Sequence, residues 1–437
     1  MKVFIRTFGC QMNLYDSELV SRILIENKFS LTSEEVDADA VLVTGCTVRE
    51  NADNRAFNYL RQVVARKKKN PSLIVGMMGC LGQRLINDGQ QPVRDIDFIL
   101  GPDSYRSLPF LLRNVPENRF VQAENALEDY DDIVPLRKSG ASAWLAISRG
   151  CDNSCTYCIV PSTRGRERSR PVGSILREVE KLVGEGFKEA TLLGQNVNSY
   201  RHDGMDFPGL LHQVSLVRGI KRIRFTTSHP MDMSEELVYA IRDHEAICNH
   251  IHLPVQSGSD RMLKNMGREY SSDHYRSLID LLKKEIPDIC ITTDIISGFP
   301  GESEDDHKKT LDLVRYVEYD GAFTFRYSPR KGTPAGNLDD NVPEEVKKRR
   351  LNEVSQLQRQ ITDRKNQKYV GKTVEVMIET ASKRSPYDAL GKTAGNKNVV
   401  VADCTRSAGT FATVQVSAVS SQTLFGEIVH TAESIAI

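Results

Sequence analysis

Cys151, Cys155 and Cys158 stand within eight positions, in the segment Cys-Asp-Asn-Ser-Cys-Thr-Tyr-Cys. Thiolates are soft ligands that suit zinc and iron–sulfur clusters. Three of them on one short loop can hold three corners of a cubane and leave the fourth iron open. An open coordination position separates a reactive metal site from a closed structural one. A zinc knuckle is the competing reading; it needs a fourth ligand, and the next histidine along the chain is His202. The loop follows the strand-like segment Trp144–Ser148 and so stands at a strand's carboxyl end, where barrel enzymes build their active sites.

Polar groups recur at the ends of the strand-like segments that follow. Gly194-Gln195-Asn196 ends one, Ser228-His229 another and Gln256-Ser257-Gly258 a third; Asp294 lies near the end of the next, and Tyr327 ends the last. Each alone reads as a turn or cap residue. Their repetition, with Tyr157 inside the cysteine loop, predicts a cofactor cradle, and glycine at 194 lets the backbone approach a ligand closely.

A second cysteine set is dispersed. Gly9-Cys10, Gly45-Cys46 and Gly79-Cys80 each close a strand-like segment, at separations of 36 and 34 residues, about one βαβ unit. Open parallel sheets bind ligands at the carboxyl ends of their strands, so three strands can aim three thiolates at one point. Plain burial is the competing reading. The first 115 residues contain no histidine, which disfavours a Cys3His zinc site there and favours a second cluster.

The elements that must position these groups follow from periodicity. In residues 1–116, strands Lys2–Thr7, Ala40–Thr44 and Leu73–Met78 alternate with helices Asp16–Glu26 and Asn51–Arg66, an α/β pattern with an open parallel sheet. Residues 117–142 lose periodicity and turn acidic (Glu124, Glu128, Asp129, Asp131, Asp132), which predicts a linker. From 143 to 368, strands Trp144–Ser148, Ala190–Leu193, Arg222–Thr226, His250–Val255, Cys290–Ile296 and Ala322–Tyr327 alternate with helices, among them Ser174–Glu185, Ser234–Arg242, Ser271–Lys284 and Glu302–Tyr316. Six such units fit a partial (β/α)6 barrel better than a full one of eight. A basic amphipathic helix trails it over 344–368, with Leu351, Val354, Leu357 and Ile361 as its apolar stripe. Residues 369–437 hold short strands (Thr373–Ile378, Asn398–Ala402, Thr410–Val419, Leu424–Val429), the pattern of a small antiparallel β-barrel.

The whole sequence has 437 residues, with Lys+Arg and Asp+Glu both 58, so net charge identifies no partner. Arg6 and Gln11 interrupt the apolar stretch from Val3, which argues against an export signal, and no apolar run approaches the ~18–20 residues of a membrane span. Nine cysteines, an odd number, then suggest reduced thiols in a cytoplasmic protein rather than a disulfide framework.

Together, Gly9-Cys10-Gln11-Met12-Asn13, Gly79-Cys80-Leu81-Gly82-Gln83, Cys151–Cys158 with Ile159-Val160-Pro161, Arg164-Gly165-Arg166-Glu167-Arg168-Ser169-Arg170, Gln195-Asn196-Val197-Asn198, Thr227-Ser228-His229-Pro230, Pro254–Asp260 and Tyr327–Ala335 closely resemble the MiaB methylthiotransferases. The match runs nearly the length of the chain. Departures are local: Thr44-Gly45 replaces Asn-Thr before Cys46, Gly82 an alanine and Ser162 a tyrosine. The resemblance implies a radical-SAM enzyme with two 4Fe-4S clusters, one on Cys151, Cys155 and Cys158 and an auxiliary one on Cys10, Cys46 and Cys80. It implies an OB-like TRAM domain for the C-terminal barrel. It also implies the reaction: CH3–S added to carbon 2 of N6-isopentenyladenosine at position 37 of tRNA, beside the anticodon. One S-adenosylmethionine would methylate a sulfur on the auxiliary cluster. A second would be cleaved at the first cluster, to a radical that removes the carbon-2 hydrogen. A low-potential donor of the flavodoxin or ferredoxin type and a monomeric state belong to the same expectation.

RNA binding needs positive surface. Arg164, Arg166, Arg168 and Arg170 alternate and, if extended, share one face beside the first cluster. Lys67 and Lys68 lie in the basic end of a first-domain helix, and Lys347 and Lys348 in a stretch, 344–372, with nine Lys/Arg against four Asp/Glu. Residues 371–437 balance six basic against six acidic residues, so RNA contact there, through Lys392 in Gly391-Lys392-Thr393 and through Asn396, rests on the resemblance. Other acceptors within reach of the same chemistry are threonylcarbamoyl-adenosine in tRNA and a ribosomal-protein aspartate. A non-catalytic iron–sulfur or zinc RNA-binding module is the alternative of another class.

Overall fold

The computed structural model describes residues 1–47, 50–89, 93–114, 121–122, 127–137, 140–382, 385–404 and 406–429. In the first domain, strands Ser30–Leu31, Lys2–Thr7, Ala40–Thr44, Ile74–Met78, Phe98–Leu100 and Val121–Gln122 lie in that order, every neighbouring pair parallel. Alternate side chains point to opposite faces. Ala40 and Leu42 join a core with Leu19, Val20 and Ile23 of helix Gln11–Glu26, while Val41 and Val43 join one with Leu60 and Val63 of helix Glu50–Ala65.

Two expectations for this region need correction. Helix Gln11–Glu26 begins five residues before Asp16, because Cys10 itself is its N-cap. The stretch expected as a linker is partly a strap: Tyr130 and Ile133 are buried in the first-domain core, and the Tyr130 hydroxyl donates to Pro102 O at 3.0 Å. Glu124 of the acidic run lies outside the described residues.

The central domain forms an arc of two three-stranded parallel sheets. Arg222–Phe225, Glu189–Leu193 and Ser142–Ala146 make one; His250–His252, Cys290–Ser297 and Gly321–Arg326 make the other. A parallel bridge between Ile223 and Ile247 lies at their junction, and one core spans both sheets and the surrounding helices. Helix starts are set by serine caps: Ser234, Ser271 and Ser303 accept the N–H of Leu237, His274 and Asp306. Helix Glu344–Gln367 lays Val354 and Ile361 into this core.

The C-terminal strands Thr373–Ala381, Ala389–Lys392, Asn398–Ala402, Thr423–Ile428 and Phe411–Ser420 close into a barrel in that order. It is not wholly antiparallel, since Asn398–Ala402 pairs parallel with Thr423–Ile428. Ala389–Lys392, four residues holding a glycine and a lysine, carried too little pattern to be read as a strand.

This barrel is seated on the central one through the turn 393–397, at the amino ends of the central strands. Arg224 donates to Thr393 O and Ala394 O, both at 2.7 Å, and Arg222 to Lys392 O at 2.6 Å. Lys397 Nζ lies 2.9 Å from Asp320, and a β-carbon on Gly395 would stand 2.5 Å from Cys290 Sγ. Among the described residues no helix is long and apolar enough to cross a membrane.

Candidate active site

The loop of Cys151, Cys155 and Cys158 is shaped by backbone that only glycine allows. Gly150 has φ +75°, and a β-carbon there would meet Arg166 O at 2.0 Å. Cys151 N–H donates to Gly165 O at 3.2 Å, Cys158 N–H to Cys155 O at 3.1 Å and Thr156 N–H to Met266 O at 2.9 Å. Two side chains address the sulfurs: Asn153 Nδ2 donates to Cys151 at 3.3 Å and Arg268 Nη1 to Cys155 at 3.4 Å. Arg268 is itself aligned by Pro254 O at 2.8 Å and the Tyr270 hydroxyl at 3.0 Å. Burial pushes the Cys151 thiol up and the Cys158 thiol up to about 12, so thiolates here need a cationic group to hold them.

Around this loop, the strand ends carry buried polar atoms without a protein partner: Ser148 Oγ, Gln195 Oε1, Asn196 Oδ1, Ser228 Oγ, His229 Nε2 and Ser297 Oγ. Buried polar groups are ordinarily paired, so this set fits a polar organic cofactor such as S-adenosylmethionine. Gly194 approaches closely, as its β-carbon would stand 2.5 Å from Ser148 Oγ. Asn196 Nδ2 donates to Asp232 at 2.6 Å, at the edge of an open cleft of about 370 Å³ that Asp152, Asn153, Glu167 and Ser199 also line. Gln256 holds φ +68°, and its N–H donates to Asp294 O at 2.9 Å; the Asp294 carboxylate lies 3.5 Å from His252 Nε2.

Tyr157 and Tyr327 are not among the residues that line this cleft. Tyr157 packs against the apolar cluster of Met262, Met266 and Phe299, and Tyr327 donates its hydroxyl to Ala335 O at 2.8 Å. Ser148, Ser297 and Arg268 were not anticipated. Ser297-Gly298 carries the same strand-end polar–glycine signal as Gln195 and Gln256; Arg268 carries none, because its tie to Cys155 is made across 113 residues.

The dispersed cysteines do converge. Cys10 caps helix Gln11–Glu26, Cys46 follows strand Ala40–Thr44 and Cys80 opens helix Cys80–Asp88. The hydrogen bond from Cys46 pulls the Cys10 thiol down to about 6 against the opposing effect of burial, helped by the charge of Arg164. Burial pushes Cys80 up. Arg164 Nε donates to Cys80 Sγ at 3.0 Å, and its Nη2 to Asp16 at 2.8 Å and Asn13 Oδ1 at 3.2 Å. Among the described residues no three Cys, His, Asp or Glu side chains are arranged around a single ion. Cubane thiolates bind separate irons and stand wider apart, so two sets of soft donors with no histidine fit clusters. The replacement of alanine by Gly82 has a local cause: a β-carbon there would stand 2.3 Å from Leu100 O.

The basic series does not form the expected face. Arg164 and Arg170 are 3% and 1% exposed, and Arg170 pairs with Glu178 at 2.8 Å. Arg168 pairs with Asp103 and Asp129, leaving only Arg166 of the four exposed. Lys67 pairs with Asp97, and Lys347, 1% exposed, with Asp340. Lys68 and Lys348 remain exposed, Lys348 bonded to Glu345 at 2.7 Å. Lys392 is half-buried beside Glu379, and the turn that follows it grips the central barrel.

Three family models match the chain: the Radical SAM superfamily over residues 145–314, the uncharacterized protein family UPF0004 over 2–101, and the TRAM domain over 367–429. The tRNA-2-methylthio-N(6)-dimethylallyladenosine synthase of Chloroherpeton thalassium is 48% identical over 431 residues, which are 97% of this chain and 95% of the relative. The protein of the same name from Bacteroides thetaiotaomicron is 46% identical over 436 residues, 98% of this chain and 96% of its own. In fold, the chain is similar to the radical S-adenosylmethionine methyltransferase TsrM from Kitasatospora setae, with a TM-score of 0.57 over 77% of each chain at 15% identity. The cobalamin-dependent radical enzyme OxsB gives 0.52 over 82% of this chain and 56% of its own at 14% identity. With relatives of such identity along nearly its whole length, the chain belongs to the tRNA-2-methylthio-N(6)-dimethylallyladenosine synthase family of radical-SAM enzymes.

Proposed function

We propose that this enzyme adds a methylthio group to carbon 2 of N6-isopentenyladenosine (dimethylallyladenosine) at position 37 of tRNA, using two S-adenosylmethionine molecules per turnover. The observation that carries the reading is that Arg164, six residues beyond Cys158, reaches the sulfur of Cys80, so one short segment joins the first cysteine loop to the dispersed set. Cys151, Cys155 and Cys158 hold a 4Fe-4S cluster, and Cys10, Cys46 and Cys80 a second. With S-adenosylmethionine bound, the first supplies the one-electron chemistry that activates an unreactive aromatic C–H bond, and the second carries the sulfur.

The chain's own part is to bind and orient. Arg268 and Asn153 fix the Cys155 and Cys151 sulfurs. Gly194, Gln195, Asn196, Ser228, Gln256 and Asp294, with Ser148 and Ser297 added, line the place for S-adenosylmethionine; Tyr157 and Tyr327 support that wall from behind. The target base is splayed from its stack to reach the cleft, as base-modifying enzymes require. Arg166, Lys68 and Lys348 are the exposed cations that meet phosphates. The enzyme acts as a cytoplasmic monomer, with electrons from a low-potential flavodoxin or ferredoxin.

Two measurements test this. Turnover on matched tRNAs with and without the isopentenyl group should differ strongly, and equal turnover overturns the substrate. Anaerobic reconstitution should give roughly eight irons, falling to about four when Cys10, Cys46 and Cys80 are all replaced by alanine; an unchanged count refutes the second cluster.

A further inference from the structure

We propose that Arg164 is a positioning residue of the auxiliary site: a buried counter-charge and N–H donor to the Cys80 sulfur that sets the redox poise of the cluster held there. The proposal rests on the second-cluster reading above.

Arg164 ends the short helix Val160–Arg164 that follows Cys158, and the next residue, Gly165, accepts the Cys151 N–H at 3.2 Å. Asn87 Nδ2 grips the same helix from the first domain, donating to Ser162 O at 2.7 Å. The guanidinium is therefore fixed relative to both triads.

Its charge is incompletely met. Asp16, fully buried, is shared by two buried guanidiniums: Arg164 on Oδ2 at 2.8 Å and Arg149 on Oδ1 at 2.9 Å. The Tyr105 hydroxyl also donates to Asp16, at 3.2 Å. Two further carboxylates, Asp103 and Asp129, are taken up by Arg168, while Arg170 and Arg137 share Glu178. Arg164 Nη1 and Arg149 Nη1 are buried with no partner. An unbalanced charge and idle donors are costly in an interior. An anionic thiolate-ligated cluster at Cys80, which Arg164 Nε already addresses, offsets that charge. Cluster potentials follow net charge and hydrogen bonds to sulfur, so this arginine stabilises the reduced, more negative state.

The test uses the full-length chain with Cys151, Cys155 and Cys158 replaced by alanine, reconstituted anaerobically, so that one cluster of about four irons gives the electron paramagnetic resonance signal. Midpoint potentials are read in Arg164→Gln, Arg164→Lys and Asp16→Asn. The first removes a positive charge yet leaves the neutral Asp16–Arg149 pair, so the potential should fall. Asp16→Asn removes a negative charge and should raise it, whereas Arg164→Lys should stay near the parent. Shifts of the same sign in Arg164→Gln and Asp16→Asn, or none in either, overturn the assignment. Should Arg164→Gln hold no iron, an unchanged or lowered potential in Asp16→Asn overturns it alone. A parent chain without any cluster removes the second-cluster reading and this inference with it; a normal cluster indifferent to all three substitutions removes only the inference.

Discussion

Gly9 lies so close to Cys46 that a β-carbon on the glycine would stand 2.2 Å from the Cβ of the cysteine. Gly267 has the matching relation to the other loop: at φ +69°, its β-carbon would stand 2.5 Å from Ser154 O. Overpacking of this kind costs about 1–3 kcal/mol and displaces whatever yields first. Gly9→Ala should therefore lose the auxiliary iron and Gly267→Ala the iron of the Cys151–Cys158 loop, about four of roughly eight in each case. Iron and sulfide counts with resonance spectra of each variant check this; loss of both clusters in either would show that the sites are not independent.

Lys347 and Lys348 are neighbours with opposite environments. Lys348→Ala should leave stability unchanged and reduce the slope of tRNA affinity against salt by about one unit. Lys347→Ala should lower stability in chemical denaturation, because it removes a buried side chain that packs over the Tyr327 ring and bonds Asp340, and should leave the salt slope alone.

His229 is kept neutral by burial and by the charge of Arg268, which together push it down to about 3 from 6.5. As pH falls through 6.5 the unfolded chain takes up this proton and the folded chain does not, so protonation favours unfolding. The stabilisation is fully present above that pH and is lost progressively toward about 3. His229→Asn should flatten the stability profile across this window; an unchanged slope would mean that other groups carry it.

Asp320 ties the C-terminal barrel to the central one. Burial pushes its carboxyl up, but Lys397 and Lys365 outweigh that and hold it below the usual range. Asp320→Asn should cost about 3–5 kcal/mol by leaving two cations without their carboxylate. Lys397→Met, which spares the Lys365 pair, should cost less, and denaturation of both variants orders them.

The regular part of the fold was legible where period and caps agreed. The helices expected to start at Ser234, Ser271 and Glu302 start at Glu235, Ser272 and Glu304, and the six central strands alternate with helices as expected. The first cysteine set was legible from its own close spacing, and the dispersed set from the glycine that precedes each member at a strand end. The fate of charge was not. Arg164, Arg170 and Lys347 read as surface in a one-dimensional pattern, and became interior because Asp16, Glu178 and Asp340 meet them from 7 to 148 positions away. No local spacing encodes such pairs. The unpartnered oxygens of Ser148 and Ser297 become visible only when the strands stand side by side.

The seating of turn 393–397 on Arg222, Arg224 and Asp320 makes the last domain a floor to the central barrel. A chain cut after residue 368 would withdraw the carbonyls of Thr393 and Ala394 from Arg224 and the Lys397 ammonium from Asp320, at the base of the catalytic barrel. Loss of activity in such a truncation would therefore report a damaged foundation before it reported anything about tRNA, and separating the two requires substitutions on the outer strands that leave the turn in place.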